Sequence, residues 1–512
     1  MTEESVRYAE ACYVASPISE YQGNPLIEAL PPILSKKEAA ARMMLRPRYD
    51  EVERGMPTEQ RSHLLGRLRE IVIPSKEFYD AERIVSRLIR RAYLQRNPLE
   101  GATTWTRIYD AQDYAPDRSV LEQLISSDMM VTVLGVSGRG KSTLFHAVLR
   151  TYEHQVIRHV SYHGAQLAIT QVVWLRVTCP YDASIRDLCL AFFQALDRAL
   201  GVRKYAPMYT GPRHSIPELQ GAMRQLAATY FLGILVIDEI QRLNLAKTGG
   251  EKKLLAFVQS LQIDLKVPIA IIGTYSALGL FKSDVAHARR SSDTGLIELA
   301  RPTQRTEEWD NFVVRLWHYS WVRTPTVLDP EKNGKYFDLL FDLTQGITDV
   351  LVILFKCAQE RAMDDESETL TTDLLQQVYD DSLTLLHPAL NALRSGRTNS
   401  IDLFEQLWPS AEQMALLRKV KQGDVEEIEK LLAGLWDKSD SSDDETFSAP
   451  SDGGDSSGTA AGSESTDIVV PTGYRDLREF SKCPDVYQAL RDAGIIAQNP
   501  FDFPSDATAA QA

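Results

Sequence analysis

A glycine-rich run between residues 135 and 142 carries the clearest chemical signal in this sequence. It follows an apolar stretch, Met130 to Leu134, and precedes a pattern typical of a helix, Thr143 to Thr151. Glycines at this spacing let main-chain N–H groups wrap around phosphate oxygens, and the start of a helix adds partial positive charge. We therefore expect a P-loop, whose phosphate-binding residues are Gly135, Val136, Ser137, Gly138, Arg139, Gly140, Lys141, Ser142 and Thr143.

Two side chains of the P-loop would contribute chemistry of their own. The ammonium group of Lys141 should reach the β- and γ-phosphates, and the hydroxyl group of Ser142 should bind Mg²⁺. ATP and Mg²⁺ are accordingly the expected ligands. A glycine-rich turn that binds no nucleotide is the alternative, and the strand and helix on either side disfavour it.

A second motif follows later in the chain, where the apolar run Ile234–Ile237 ends in Asp238 and Glu239. A strand that ends beside the P-loop would place both carboxylates at the phosphates. Asp238 would then bind Mg²⁺ through water, and Glu239 would polarise the attacking water as a general base. The adjacent glutamate, together with one strand between the two motifs, favours the AAA+ class of ATPases over kinases and GTPases.

Three further positions complete this prediction. Thr274 ends an apolar run and fits a sensor that bonds the γ-phosphate or the lytic water, whereas Arg289 or Arg290 would neutralise transition-state charge in a neighbouring subunit. Hydrolysis would then require a homo-oligomer. A plain strand-end threonine and surface arginines are the alternatives. The turn at 344–350 contains no arginine, so hydrolysis is expected to be slow and ATP to act as an assembly switch.

Alternating apolar runs and helical patterns predict the elements that position these residues. The expected strands are Met130–Leu134, Val172–Val177, Ile234–Ile237, Ile269–Gly273 and Leu296–Leu299. They predict an α/β fold of the AAA+ type, a parallel sheet sandwiched by helices over residues 111–305. The remaining parts are a helical N-terminal module at 1–110, a helical lid at 306–400, a helical extension at 401–437, an acidic disordered linker at 438–467 and a C-terminal tail at 468–512.

Charge and composition limit the partners and the compartment. The chain of 512 residues has a net charge of −14, but the segment 439–467 holds eight carboxylates and no lysine or arginine, so the rest carries only −6. Global charge therefore does not exclude DNA. Five scattered cysteines, no secretion signal and no apolar run long enough for a bilayer predict a cytoplasmic protein without a membrane partner.

The sequence resembles the TnsC family, the AAA+ regulators of Tns-type DNA transposons. The resemblance extends over about residues 20–400 and returns faintly at 475–503. The segments that carry it are Asn24–Pro32, Phe193–Gly201, Ile237–Gln241, Ala288–Arg290, His387-Pro388 and Leu393–Gly396. The lack of an arginine in the lid turn also fits the family.

The resemblance implies an ATP-dependent oligomer, a ring or filament, that assembles on double-stranded target DNA and licenses transposition. It implies that the N-terminal module meets a target selector and that the C-terminal region meets the transposase and endonuclease subunits. The pore loops of AAA+ proteins suggest Arg186, Lys247, Lys252 and Lys253 as DNA contacts. Two alternatives stay open: an AAA+ loader or remodeller resembling replication initiators, and a nucleotide-switch adaptor with vestigial hydrolysis.

Overall fold

The computed structural model describes residues 8–99, 129–180, 184–211, 213–242, 257, 267–275, 277 and 296–395. The predicted helical extension, acidic linker and C-terminal tail lie outside these residues. The described residues of the N-terminal part include one strand and four α-helices. Strand β1 spans Tyr8–Glu10, and helices α1 to α4 span Pro25–Glu28, Lys36–Met43, Thr58–Leu64 and Lys76–Leu94.

Helix α4 is the long amphipathic helix of this part. The apolar side chains of its face, Ala81 and Val85 among them, are fully buried, as the pattern indicates. Its arginines do not form one exposed stripe, however. Arg90 is only 4% exposed, and its guanidinium donates to the Oγ of Ser86 and to the carbonyl of Pro31. Arg90 therefore links the helix to the segment 24–32.

The middle of the chain alternates strands and helices. In order these are β2 Met130–Gly135, α5 Lys141–Arg150, β3 Val156–Tyr162, β4 Ala165–Val172, β5 Trp174–Thr178, α6 Ile185–Leu200, α7 Tyr205–Tyr209, α8 Ile216–Thr229, β6 Ile234–Asp238, β7 Ile269–Gly273 and β8 Leu296–Leu299.

Five of these strands form one parallel sheet in the order β5-β6-β7-β2-β8. Both faces are buried, since Val131 and Val133 contribute to one apolar core and Met130 and Leu134 to the other. This alternation follows from the two-residue period of a strand. The α/β architecture predicted from the sequence is confirmed, and four of the five predicted strands lie where they are expected.

The remaining predicted strand, Val172–Val177, begins too early in the sequence. Val172 ends β4, and β5 begins at Trp174. Strands β3 and β4 form an antiparallel hairpin, and β1 pairs in parallel with β3 to complete a second, three-stranded sheet. The apolar residues Val172 to Leu175 therefore contribute to two sheets, and hydropathy alone cannot show where one strand ends and the next begins. The N-terminal part consequently shares a sheet with the middle of the chain.

The last described part is helical, as predicted. Its helices are α9 Glu307–Trp317, α10 Gly334–Thr344, α11 Thr348–Asp364, α12 Thr372–Ser382 and α13 His387–Ser395. We refer to these five helices as the lid. Among the residues that the structure describes, no helix combines the length and the hydropathy that crossing a bilayer requires.

A buried ion pair fastens the N-terminal part to the lid. Arg61 in α3 is 0% exposed, and it binds both carboxylate oxygens of Glu368, at 2.5 and 2.8 Å. Its guanidinium also donates to the carbonyls of Met56 and Trp321, each at 2.9 Å. The bonds to Glu368 and Trp321 therefore join the N-terminal part to residues more than 250 positions later in the chain. The bond to Met56 holds the segment just before α3.

Truncation of this arginine should destabilise the protein strongly. Arg61→Ala leaves the Glu368 carboxylate poorly compensated, so we expect a loss of about 3–5 kcal/mol in the free energy of unfolding. The control is Arg83→Ala, which removes a half-exposed pair with Asp80 in α4 and should cost less than about 1 kcal/mol. Denaturant titration measures both. Equal, small effects would show that the buried pair does not fasten the two parts.

Candidate nucleotide-binding site

The glycine-rich run forms a loop between β2 and α5. Gly135 ends the strand, residues 136–140 form the loop, and Lys141 begins the helix. Gly138 and Gly140 have φ angles of +76° and +85°, which favour glycine because a Cβ is strained in the left-handed region. The backbone therefore has the turn that a phosphate cradle requires. Lys141 is 8% exposed, and its Nζ donates to the carbonyl of Val136 at 3.0 Å.

The lid lies directly on this loop. The Oγ1 of Thr348 and the main-chain N–H of Asp349 both donate to the carbonyl of Gly138, at 3.1 and 3.2 Å. A Cβ added at Gly138 would lie 3.0 Å from Cγ2 of Ile347. These three lid residues belong to the turn that lacks arginine in the sequence. Instead, Arg301 after β8 supplies a guanidinium that donates to the carbonyl of Gln345 in the same turn at 2.9 Å.

Asp238 ends β6 next to the P-loop helix and is 1% exposed. Its Oδ1 accepts a hydrogen bond from the N–H of Glu239 at 2.9 Å, and its Oδ2 accepts one from Arg176 of β5 at 2.6 Å. The other side of this guanidinium contacts Nε2 of His146 in α5. Burial, with the charge of Arg176 next, lowers the pKa of His146 to about 4. The imidazole is thus neutral near pH 7 and accepts from the arginine.

Glu239 adopts a left-handed conformation, with φ of +58°. Its Oε2 accepts a hydrogen bond from Nε2 of Gln241 at 2.6 Å and lies 3.5 Å from Nε of Arg242. The Oε1 of Gln241 accepts from the main-chain N–H of Thr274 at 3.2 Å, and Thr274 is 1% exposed. One amide side chain therefore links the predicted general base to the predicted sensor. Such strained backbone is common where catalytic groups are held in place.

A cavity of about 650 Å³ opens beside the P-loop, within the size range of ligand sites. Three parts of the chain line it: the P-loop through Arg139 and Thr143, the N-terminal part between residues 71 and 79, and the lid between residues 306 and 315. The Oγ1 of Thr143 is buried and has no hydrogen-bond partner among the described residues. A buried hydroxyl of this kind fits a site that receives a polar ligand.

Charged side chains in this cavity were not foreseen from the sequence. Glu77 of α4 and Glu308 of α9 both lie near Arg139, and burial followed by the charge of Glu77 raises the pKa of Glu308. Burial and the nearby Arg139 lower the pKa of Arg301 to about 10. These residues come from separate parts of the chain, so no local motif marks them.

The predicted site residues lie in different parts of the fold. It brings the P-loop, Asp238, Glu239 and Thr274 to the carboxyl ends of neighbouring strands. Arg186, in contrast, is the second residue of α6, and its guanidinium donates to the carbonyls of Gly211, at 2.5 Å, and His214. A DNA contact by Arg186 would have to compete with these bonds. The predicted DNA-binding lysines and finger arginines lie outside the described residues: Lys247, Lys252, Lys253, Arg289 and Arg290.

The residues present suit Mg²⁺ and a triphosphate. Ser142 and Asp238 offer buried oxygen atoms, which hard cations prefer. The backbone of 135–140 and Lys141 offer N–H groups and positive charge, which phosphates prefer. Asp238 already has one cationic partner, Arg176, which lies 2.6 Å from its Oδ2.

Comparison with known proteins agrees with this geometry. Residues 123–281 match the family model described as AAA domain. With the parallel sheet and the P-loop, this match identifies an AAA+ fold, and the chain is a nucleotide-dependent ATPase. No curated protein sequence matches the chain significantly.

Several solved structures are distantly similar. A Walker-type ATPase of Pyrococcus abyssi is 16% identical, with coverage of 55% of this chain and 75% of its own and a TM-score of 0.34. Cdc6p of Pyrobaculum aerophilum is 11% identical, and the match covers 65% of this chain and 98% of Cdc6p, with a TM-score of 0.30. PCH-2 of C. elegans is 12% identical, and the match covers 62% of this chain and 69% of PCH-2, with a TM-score of 0.24. Scores of this size add nothing to the assignment.

A methyl group at Gly138 should separate the lid from the P-loop. Gly138→Ala places a left-handed alanine against Ile347 and Asp349. The left-handed backbone alone costs an alanine about 1–2 kcal/mol. We expect a larger loss in the free energy of unfolding than this, together with weaker nucleotide binding. The matched control is Gly164→Ala in the β3–β4 hairpin, because φ is +85° there and an added Cβ meets no atom within 4 Å. Thermal unfolding and nucleotide titration compare the two variants. If both behave alike, the lid contact at Gly138 is unimportant.

Proposed function

We propose that this chain is an ATP-dependent, DNA-binding AAA+ regulator of transposition. It oligomerises on target DNA and links a target selector to the transposase, and ATP hydrolysis controls the assembly. The observation that carries the proposal is a cavity beside the phosphate loop, because the P-loop, the N-terminal part and the lid all line it. Nucleotide bound there can change how these parts are arranged.

The residues of the site have separate roles in this proposal. Lys141 and the loop N–H groups hold the β- and γ-phosphates, and Ser142 and Asp238 hold Mg²⁺. Bound Mg²⁺ would neutralise phosphate charge as the γ-phosphoryl group leaves. Glu239 accepts the proton of the attacking water. Thr274 positions that water or the γ-phosphate, and Arg289 or Arg290 of a neighbouring subunit stabilises the transition state.

Slow hydrolysis is supported by two contacts of the described residues. Gln241 and Arg242 both contact Oε2 of Glu239, so this oxygen must give up a partner before it can accept a proton from water. The lid turn contacts the P-loop through Thr348 and Asp349, and neither side chain can supply the positive charge of an arginine. A slow ATPase remains in its ATP-bound state long enough to serve as a switch.

The role in transposition is supported by the resemblance to the TnsC family, which includes the segment Asn24–Pro32. In the structure this segment packs on α4 and the hairpin: the Nδ2 of Asn24 donates to the carbonyl of Tyr93 at 2.8 Å, and Gln171 donates to the carbonyl of Leu26 at 2.9 Å. We assign selector binding to residues 1–110, and transposase and endonuclease binding to residues 401–512. DNA contacts are assigned to the loops with Lys247, Lys252 and Lys253, with Arg186 as a weaker candidate.

Electron microscopy of the protein with duplex DNA and a non-hydrolysable ATP analogue tests the proposal. We expect rings or filaments on DNA only when both nucleotide and Mg²⁺ are present. Fast DNA-stimulated turnover without a partner protein would instead favour a loader or remodeller. A protein that neither binds duplex DNA nor self-assembles with the analogue contradicts the proposal.

Two substitutions should separate binding from hydrolysis. Glu239→Gln removes the general base but keeps the nucleotide contacts, so it should lower hydrolysis by about 10²-fold or more and prolong the DNA-bound assembly. Lys141→Ala should abolish nucleotide binding and assembly together. ATP turnover and DNA dissociation rates measure both effects. An adaptor with vestigial hydrolysis would be unaffected by Glu239→Gln.

A further inference from the structure

The carboxylate of Asp238 has a positively charged partner within the protein. Arg176 and Asp238 lie on adjacent parallel strands, since Arg176 pairs with Val236 and Thr178 with Asp238. Side chains two residues apart on a strand share a face, so the guanidinium reaches diagonally to Oδ2, at 2.6 Å. The carboxylate side chain is 1% exposed and the arginine 17%.

His146 holds the same guanidinium from the P-loop helix. Its Nε2 accepts from Nη1 of Arg176, while Nη2 donates to Asp238. Ser142 and His146 are four residues apart in α5, so they lie on one face of that helix. The arginine therefore lies one helical turn from the serine that should bind Mg²⁺, and it contacts the other residue that should do so.

We propose that Arg176 is a positioning residue that serves as the internal counter-cation of Asp238 until Mg²⁺ arrives, with His146 fixing the guanidinium. This inference rests on the proposed function, because it takes Ser142 and Asp238 as the groups that hold Mg²⁺ with ATP. A buried carboxylate requires a positive partner, and its ionised state is strongly unfavourable without one.

Two cations at one buried carboxylate repel each other, so Mg²⁺ weakens the Arg176–Asp238 contact when it binds. The ion pair consequently lowers the affinity of the site for Mg²⁺ alone. It also keeps the carboxylate oriented, so that the site accepts Mg²⁺ together with the phosphates, whose negative charge offsets the repulsion. Mg²⁺ without nucleotide should therefore bind this site weakly, because Arg176 already occupies the carboxylate of Asp238.

The test uses Arg176→Gln in the full chain, with Mg²⁺ alone as the first probe. In the wild type, millimolar Mg²⁺ without nucleotide should leave the Tm unchanged relative to EDTA. The variant should have a lower Tm in EDTA, and Mg²⁺ should raise it, because the ion now becomes the partner of Asp238. Calorimetry with a non-hydrolysable ATP analogue is the second readout. The ratio of Kd without Mg²⁺ to Kd with Mg²⁺ should increase by about tenfold in the variant.

The controls separate this role from simple stabilisation. Arg305→Gln removes another arginine with two carboxylate partners, Asp310 at 2.7 Å and Asp338 at 2.9 Å, and its Tm should fall equally with and without Mg²⁺. His146→Gln should act like Arg176→Gln but more weakly. If Arg176→Gln does not fold, Arg176→Lys, whose shorter amine keeps the charge, should show a smaller change in the same direction.

An Arg176 variant with a lower Tm that Mg²⁺ does not raise, and with the wild-type Mg²⁺ dependence of binding, overturns the inference and leaves an ordinary structural ion pair. A wild type that binds no analogue even with Mg²⁺ overturns the proposed function instead. The wild-type titration therefore distinguishes the two failures.

Discussion

The carbonyl oxygen of Gly138 is the point at which the phosphate loop and the lid meet. It accepts from the hydroxyl of Thr348 and from the N–H of Asp349, and only a left-handed glycine with no side chain permits that approach. A loop that binds phosphate must present its N–H groups inward, so its carbonyls need partners elsewhere. The lid supplies them. Any ligand that reshapes the loop must therefore shift the turn at 344–350 as well.

The chemistry of the site depends on how its carboxylates are held. Asp238 is neutralised by Arg176, and Glu239 is bonded to Gln241, which also contacts the backbone at Thr274. Buried charges require such partners, since an unpaired carboxylate in this environment is very unfavourable. Under the proposed function the same contacts slow hydrolysis, because Oδ2 of Asp238 and Oε2 of Glu239 each have a protein partner to give up. An ATPase built in this way is suited to a long-lived bound state.

Local patterns were sufficient for the P-loop, for four of the five sheet strands and for the helical character of the lid. Each of these depends on residues close together in the chain. The pairing of Tyr8–Glu10 with β3 depends on residues almost 150 positions apart, and no local pattern encodes it. No local pattern marks Arg176 or Arg90 either, because each has a partner in another part of the chain: Asp238 for Arg176 and Pro31 for Arg90. The contacts of Arg139, Glu77 and Glu308 across the cavity escaped prediction for the same reason.

The coupling of the P-loop to the lid can be measured by hydrogen–deuterium exchange with and without an ATP analogue and Mg²⁺. We predict slower exchange at residues 135–143 and, in parallel, at 344–350 and 71–79, because one ligand would order all three walls of the cavity. Protection of the P-loop alone would contradict the coupling. No protection at the P-loop, even at a high concentration of the analogue with Mg²⁺, would contradict nucleotide binding at this site.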